Sequence, residues 1–156
     1  ARYHKRVPFI RGLTNACMRK ASNKGFITTL LGRRCRFNLY EPQGERGIPL
    51  PYDQAVAKWG ERGLVRAYTY KALNRLIQGS AADMTKRAML DLWKEGYVPY
   101  VQVHDELDLG ISTKKETEQI KEIMENCVKL QVPNIVDIEI GKSWGTAIKS
   151  YQEVFK

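Results

Sequence analysis

The sequence predicts an α+β fold, an antiparallel sheet with helices packed against one of its faces. Two stretches with apolar residues at spacings of three and four predict long amphipathic helices, at 7–24 and from Arg66 to about Glu95. Short β-branched or alternating stretches predict strands, and the order strand, strand, helix, strand follows the second long helix. That order is typical of an antiparallel sheet covered by helices.

The composition is that of a globular protein with a basic bias. The 156 residues are 43% hydrophobic and carry a formal net charge of +9. No apolar run approaches the ~18–20 residues that cross a bilayer, and there is no signal-peptide pattern. We therefore expect no membrane association and a cytoplasmic location. Three widely spaced cysteines argue against a disulfide framework or a zinc site and fit a reducing interior: Cys17, Cys35 and Cys127.

The positive charge is concentrated in the first half of the chain. Residues 1–41 contain ten Lys or Arg and one acid, whereas the residues from 101 onward contain seven bases and ten acids. A basic half beside an acidic one suggests that one part handles a polyanion and another performs chemistry. A solvated basic face is the alternative explanation of the same pattern.

The first half is predicted to hold a helix, a hairpin and an irregular loop. The helix at 7–24 ends at Gly25, which suits a left-handed position. The stretch 26–31 predicts a strand, Gly32-Arg33-Arg34 a turn, and 35–39 the returning strand. Residues 40–60 hold a dense run of prolines and glycines, which predicts an exposed loop or linker: Pro42, Gly44, Gly47, Pro49 and Pro51.

The long helix from Arg66 has two distinguishable faces. One is a predicted buried stripe: Leu73, Leu76, Ile77, Ala81, Met84, Ala88 and Leu92. Lys71, Asn74 and Gln78 lie on another face, again three and four residues apart. Gly79 costs this helix about 1 kcal/mol relative to alanine. Because glycine has no side chain, either a bulky partner or a neighbouring element could approach the backbone at this position. Periodicity alone leaves both explanations open.

A predicted hairpin at 100–109 carries the chemistry-bearing residues. Apolar residues alternate into and out of a His104-Asp105-Glu106 corner. Adjacent carboxylates repel unless a cation or a basic partner compensates them, so the corner is a candidate for Mg²⁺, which prefers oxygen ligands. Asp108 lies further along the strand and is expected to face solvent. Thr113 and Glu116 then form a capping-box pattern before a helix ending near Leu130, and 134–140 alternates as a third strand.

Five segments resemble one enzyme family, in the right order. Residues 102–107, Gln-Val-His-Asp-Glu-Leu, resemble motif C of family A DNA polymerases, the bacterial DNA polymerase I type. Residues 72–89 are similar to the helix that precedes motif C, and 25–34 to the segment upstream of it. Residues 124–127 and 141–144 resemble the closing helix and the C-terminal tail. The Glu after Asp105 and the Gln-Gly-Ser-Ala-Ala run favour this family over single-subunit RNA polymerases.

The resemblance implies a fold and a catalytic role. Residues 1–65 would be a basic part derived from the fingers, and 66–156 would belong to the palm, whose antiparallel sheet carries the motif C hairpin. Asp105 would bind metal, Glu106 would be a supporting acid near the two Mg²⁺ ions and the primer end, and His104 would lie near the primer terminus. The enzyme would be a nucleotidyltransferase of DNA replication that binds template-primer DNA and dNTP. Its location would be a nucleoid, a phage-infected cell or an organelle matrix.

The resemblance also implies DNA contacts. Asn74 and Gln78 would contact the duplex in its minor groove, where acceptor positions are shared by all four base pairs. The remaining contacts are implied near the DNA backbone or in the basic fingers-to-palm connection: Lys71, Arg75, Arg33 and Arg34.

Two of the family's motifs have no match in this sequence. These are motif A, which supplies the other metal-bridging carboxylate, and motif B, which binds the incoming nucleotide. The sequence therefore predicts a partner piece that carries both, with this chain a split subunit or a fragment that is inactive alone. A non-catalytic duplex-binding accessory module is the alternative. A two-metal nuclease would need more clustered acids than the hairpin offers.

Overall fold

The computed structural model describes residues 6–44, 47–147 and 149–155. These residues form two compact units, the first ending at Ser80 and the second beginning at Ala81. The family resemblance suggested a division between residues 65 and 66. Every strand pairing in the described ranges is antiparallel, and helices alternate with the strands, which confirms the α+β class. None of the helices described is both long enough and apolar enough to span a bilayer.

The first unit is a helix followed by two small sheets. Its elements are α1 (Phe9–Lys24), β1 (Phe26–Thr28), β2 (Arg34–Arg36), β3 (Leu39–Pro42), β4 (Leu50–Pro51), α2 (Tyr52–Trp59), β5 (Leu64–Arg66), a 3₁₀ turn (Thr69–Lys71) and the start of α3 (Ala72–Lys94). Strands β1 and β2 form one hairpin, and a second sheet has the order β4-β3-β5. Five buried side chains of this unit form a hydrophobic core: Cys17, Ala21, Ile27, Phe37 and Ala72.

Helix α1 and the β1–β2 hairpin confirm the sequence prediction. Gly25 adopts a left-handed conformation with φ of 75°, and its N–H donates to the Ala21 carbonyl at 3.0 Å. The strands are shorter than predicted, with Ile27 paired opposite Cys35. Because both of these side chains contribute to the core, the hairpin packs against the unit rather than projecting from it.

The prediction of an irregular loop at 40–60 is wrong. Strand β3 pairs with both β4 and β5, and α2 begins immediately after Pro51. Proline is tolerated at sheet edges and at helix starts, so dense prolines here mark the ends of elements. Ala55 is fully buried, and the rings of Tyr40 and Tyr52 meet edge to face with centroids 5.0 Å apart. Glu45 and Arg46 lie outside the described residues.

Helix α3 begins at Ala72, six residues later than predicted. Strand β5 occupies 64–66, and Tyr68 then takes a left-handed φ of 61°, which a continuous helix cannot include. The predicted buried stripe is correct for Ala88 and Leu92 but wrong for Ile77, which is 57% exposed. Ala81 is exposed as well.

The second unit continues α3 and adds two antiparallel strand pairs and two further α-helices. Its further elements are β6 (Val101–Val103), β7 (Glu106–Asp108), α4 (Lys114–Asn126), β8 (Glu139–Ile140), a 3₁₀ turn (Trp144–Thr146), β9 (Lys149–Ser150) and α5 (Tyr151–Val154). The predicted capping box is confirmed: Thr113 accepts from the Glu116 N–H at 3.2 Å. The backbone N–H groups of Ser112 and Thr113 donate to the Glu116 carboxylate and lower its pKa.

The end of α4 and the strand after it differ from the prediction. The helix stops at Asn126, and within 134–140 only Glu139–Ile140 is a strand, paired with Lys149–Ser150. Side chains of α4 bind the intervening backbone instead of a neighbouring strand. Glu125 accepts from the Val136 N–H at 3.0 Å, which lowers its pKa, and Lys121 donates to the Val136 carbonyl at 2.5 Å.

Candidate functional site

The His-Asp-Glu corner lies at the tip of the predicted hairpin. Val103 pairs with Glu106, so His104 and Asp105 form a two-residue turn between β6 and β7. His104 has φ of 52°, a position that usually favours glycine. The Gln102 side-chain amide donates to the His104 carbonyl and supports the turn. The sequence therefore predicted both the hairpin and the location of its polar tip.

The corner offers two exposed carboxylates. Asp105 and Glu106 are exposed, whereas Asp108 is half-buried, contrary to the expectation that it faces solvent. No group of three or more His, Cys, Asp or Glu side chains in the described part of the chain is arranged to hold a metal. Mg²⁺ is commonly held by one or two protein carboxylates together with waters and substrate phosphates. The chemistry of this donor pair therefore fits part of a magnesium site.

A polar face on the first turns of α3 is the second candidate region. Lys71, Asn74 and Gln78 are all exposed, as a face that receives a partner requires. Asn74 and Gln78 lie on one side of α3, four residues apart, and Lys71 is the last residue of the 3₁₀ turn immediately before the helix, so the three polar groups follow one another at the start of α3. We call these three residues the contact face.

Three predicted contact arginines have partners within the first unit. Arg75 donates to the Arg36 carbonyl at 2.9 Å, and its guanidinium lies 4.6 Å from the centroid of the Phe37 ring. Arg33 donates to the Gly79 carbonyl at 2.9 Å. Arg34 is exposed and stacks 4.6 Å from the centre of the Phe26 ring. The guanidinium groups of Arg33 and Arg75 join the β1–β2 hairpin region to α3, and that of Arg34 covers the hairpin. Spacing in the sequence does not indicate these packing roles.

Gly79 permits the close approach of that hairpin to α3. A Cβ atom at Gly79 would lie 3.0 Å from the Thr29 methyl carbon and 3.2 Å from an Arg33 guanidinium nitrogen. Of the two explanations that the sequence left open, packing of a neighbouring element is the one this geometry supports. Ser80 strengthens the junction, because its hydroxyl accepts from the Leu30 N–H at 3.0 Å.

Sequence reasoning missed two tyrosines next to the contact face. The ammonium of Lys71 lies 4.8 Å from the Tyr68 ring centroid and 5.7 Å from that of Tyr70. Tyr70 is 61% exposed, while Tyr68 is half-buried. The sequence carries a Tyr-x-Tyr-Lys run at 68–71. The helix predicted from Arg66 included this run, whereas α3 begins only at Ala72.

Comparison with known proteins identifies the family. The model of DNA polymerase family A matches residues 1–146. The chain is 42% identical over 143 residues to a DNA-directed DNA polymerase of Pseudomonas phage M6, covering 92% of this chain and 18% of the relative. It is 35% identical over 153 residues to DNA polymerase I of Bacillus caldotenax, covering 92% of this chain and 15% of that protein.

A solved structure agrees with the fold. The POL domain of Pol1 from M. smegmatis, in complex with DNA primer-template and dNTP, matches with a TM-score of 0.68 and 31% identity. The match covers 94% of this chain and 24% of the solved one, so the chain spans less than a quarter of that protein. From its sequence and its fold, this chain belongs to DNA polymerase family A.

Proposed function

We propose that this chain is the part of a template-directed DNA polymerase that supplies the motif C acids and a duplex-contacting surface. The polymerase would add deoxynucleotides to a primer 3′ end by two-metal phosphoryl transfer. The observation that carries the proposal is the exposed Asp105-Glu106 pair at the tip of a two-residue turn, in a chain of this family. The structural relative bound to primer-template and dNTP supports DNA and dNTP as the ligands.

The hairpin would hold the metal and the primer end. Mg²⁺, when bound, supplies positive charge that stabilises the phosphoryl-transfer transition state. Asp105 would be its ligand and Glu106 a supporting acid, while His104 would lie beside the primer terminus. Because Asp105 is part of a turn between two paired strands, its backbone is held in place more firmly than on a free loop.

The contact face would bind the duplex without reading its sequence. The amides of Asn74 and Gln78 can donate to minor-groove acceptors common to all base pairs, which suits an enzyme that must accept any template. Lys71 would bind phosphate, and three arginines that also hold the β1–β2 hairpin and α3 together would add positive charge to the duplex-binding part of the chain: Arg33, Arg34 and Arg75.

We infer that the remaining catalytic groups come from a polymerase segment outside this chain. That segment would carry motif A, with the second metal-bridging carboxylate, and motif B, with the nucleotide-binding side chains. The small share of the phage polymerase that the chain covers, 18%, supports the inference. The segment could belong to the same polypeptide or to a separate subunit.

Primer extension by a reassembled polymerase tests this function. The chain is co-expressed with a family A segment that carries motifs A and B, and extension of a labelled primer is followed. Asp105→Ala should lower the rate more than roughly 100-fold, because loss of groups that only orient metal ligands already costs about 10–100-fold. Asp108→Ala, on the same hairpin, is the matched control. Extension by this chain alone, or by a complex carrying Asp105→Ala, would contradict the proposal.

An accessory duplex-binding module is the second candidate, and one observation favours it. The contact face and its supporting arginines all belong to the first unit, which needs nothing from the hairpin to present them. Such a module would bind duplex DNA in a salt-dependent way, and replication assays would be indifferent to Asp105→Ala.

A further inference from the structure

We infer that Tyr70 is a further duplex-contacting residue, whose ring packs on a deoxyribose beside the base pairs contacted by Asn74 and Gln78. The ammonium of Lys71, held against two tyrosine rings, would bind the adjacent phosphate. This inference deepens the proposed function and rests on its duplex-contacting role for α3.

The cluster is defined by ring and cation geometry. The Tyr68 and Tyr70 rings lie edge to face, with centroids 6.4 Å apart and an interplanar angle of 63°. Lys71 lies within cation–π range of both rings. An ammonium that rests on rings keeps donors free on its other side, since it carries three N–H groups. The cluster therefore presents a fixed positive charge and an open aromatic surface together.

Exposure separates the two tyrosines. Tyr70 is 61% exposed, so a large part of its side chain meets solvent, while Tyr68 is half-buried. An aromatic side chain left open beside a charged group is typical of a binding surface, because such a ring has an apolar body and a polar tip. Tyr68 would position Lys71, and Tyr70 would contact the ligand.

The backbone before the cluster is constrained as well. Among the described residues, only Tyr68 and His104 are non-glycine positions with positive φ. Such positions persist only where surrounding contacts hold them, and they concentrate at functional sites. One of the two is the hairpin turn beside Asp105, and the other leads directly into the contact face.

The spacing fits a DNA duplex. Asn74 and Gln78 lie four residues apart on one side of α3, and Tyr70 lies four residues before Asn74 on the 3₁₀ turn that leads into the helix. Four residues of helix advance about 6 Å, which is close to two base-pair steps of roughly 3.4 Å. A ring at this position would reach the sugars next along the groove, and sugar contacts carry no sequence information.

DNA binding by the full chain tests the inference. Fluorescence anisotropy is measured with a blunt duplex and with the same duplex bearing a single-stranded template overhang, over a series of salt concentrations. Tyr70→Ala should weaken binding to both substrates at least about fivefold, the lower end for an aromatic contact to nucleic acid. Tyr70→Phe, which keeps the ring, should restore most of the affinity. Lys71→Ala should reduce the salt slope by about 1, as expected for one lost phosphate contact.

The chain offers matched controls. Phe9→Ala removes another exposed aromatic ring of the first unit, 68% exposed, and should leave binding unchanged. Lys58, whose ammonium lies 4.9 Å from the Trp59 ring centroid, is a second lysine on an aromatic ring, and Lys58→Ala should leave the salt slope unchanged. Thermal melting of each variant shows whether the fold is retained.

Three results would overturn the inference. They are unchanged binding by Tyr70→Ala, a loss that appears only with the overhang, which would indicate stacking on an unpaired base, and no recovery by Tyr70→Phe. Asn74→Ala and Gln78→Ala are measured alongside. If these two also leave binding unchanged, the duplex-contacting role itself fails; if they weaken binding and Tyr70→Ala does not, only the present inference fails.

Discussion

The contact face and the motif C hairpin are built in different ways. Behind the contact face, hydrogen bonds join α3 to segments more than thirty residues earlier in the chain: Arg33 to Gly79, Arg75 to Arg36, and Leu30 to Ser80. The hairpin consists of two three-residue strands whose described pairing is only with each other. Its acids are exposed at the tip, supported by the Gln102 side chain.

The difference indicates that the two regions depend on different parts of the molecule for their geometry. The contact face is preorganised by the chain's own packing, so in the proposed function the DNA-binding surface would be complete within the first unit. The His104-Asp105-Glu106 corner would provide metal ligands on a small hairpin and obtain the rest of its site elsewhere. Substitutions behind the contact face should therefore change stability, whereas removal of the exposed carboxylates at the hairpin tip should change activity.

The largest effect on folding is expected at Arg75. Arg75→Ala removes a charged hydrogen bond to the Arg36 carbonyl and the stacking on Phe37, which should lower the free energy of unfolding by about 1.5–3 kcal/mol. Arg34→Ala is the control, since Arg34 stacks on Phe26 at the same 4.6 Å and should cost only about 0.5–1 kcal/mol. Urea unfolding measures both. Equal losses would show that the bond to Arg36 does not brace the contact face.

The stability of the hairpin turn should depend on how well the residue at position 104 tolerates a left-handed backbone. A left-handed position costs an ordinary residue about 1–2 kcal/mol, and a β-branched one is the least tolerant. His104→Val should therefore destabilise the second unit by roughly that amount, while His104→Gly should be neutral or slightly stabilising. Hydrogen exchange of the β6–β7 amides reports the change. A more stable His104→Val variant would contradict the turn geometry.

Two glycines within helices should behave oppositely. Gly12 in α1 has no atom within 4 Å of its added Cβ, so Gly12→Ala should stabilise the chain by about 0.5–1 kcal/mol. At Gly79 the added Cβ meets Thr29 and Arg33, so the same gain should be cancelled or reversed. Thermal melting of the two variants gives the comparison. A similar gain at both positions would mean that the β1–β2 hairpin does not press on α3.

Lowering the pH should destabilise the second unit before the first. Three carboxyl groups with lowered pKa belong to that unit: Asp91, which pairs with Arg87 at 2.6 Å, Glu116 and Glu125. Each contributes stability above its unfolded pKa, near 3.8 for Asp and 4.5 for Glu, and loses it as pH falls through the lower folded value.

Amide exchange compared at pH 6 and pH 3.5 measures this loss unit by unit. Protection should fall first in α4 and the segment that Glu125 binds, and Glu125→Gln should lessen the pH effect there. Earlier loss in α1 or β1–β2 would contradict the assignment.

The features predicted from sequence were those fixed by short-range chemistry. Gly25 ends α1, the capping box starts α4, and alternation predicts the hairpin at Asp105, because each depends on neighbours within a few residues. The sheet at 39–66 was missed because Tyr40 pairs with Arg66, far along the chain, while its prolines indicated irregular structure. The partners of Arg75 and the left-handed Tyr68 likewise depend on tertiary packing that periodicity does not encode.

Primer extension by the reassembled polymerase tests the central claim most directly. The account predicts that Asp105→Ala lowers extension by the complex more than roughly 100-fold but leaves duplex binding by the chain unchanged. It also predicts that Asn74→Ala combined with Gln78→Ala weakens duplex binding while thermal stability is kept. Unimpaired extension by the Asp105→Ala complex would contradict the catalytic role of the hairpin.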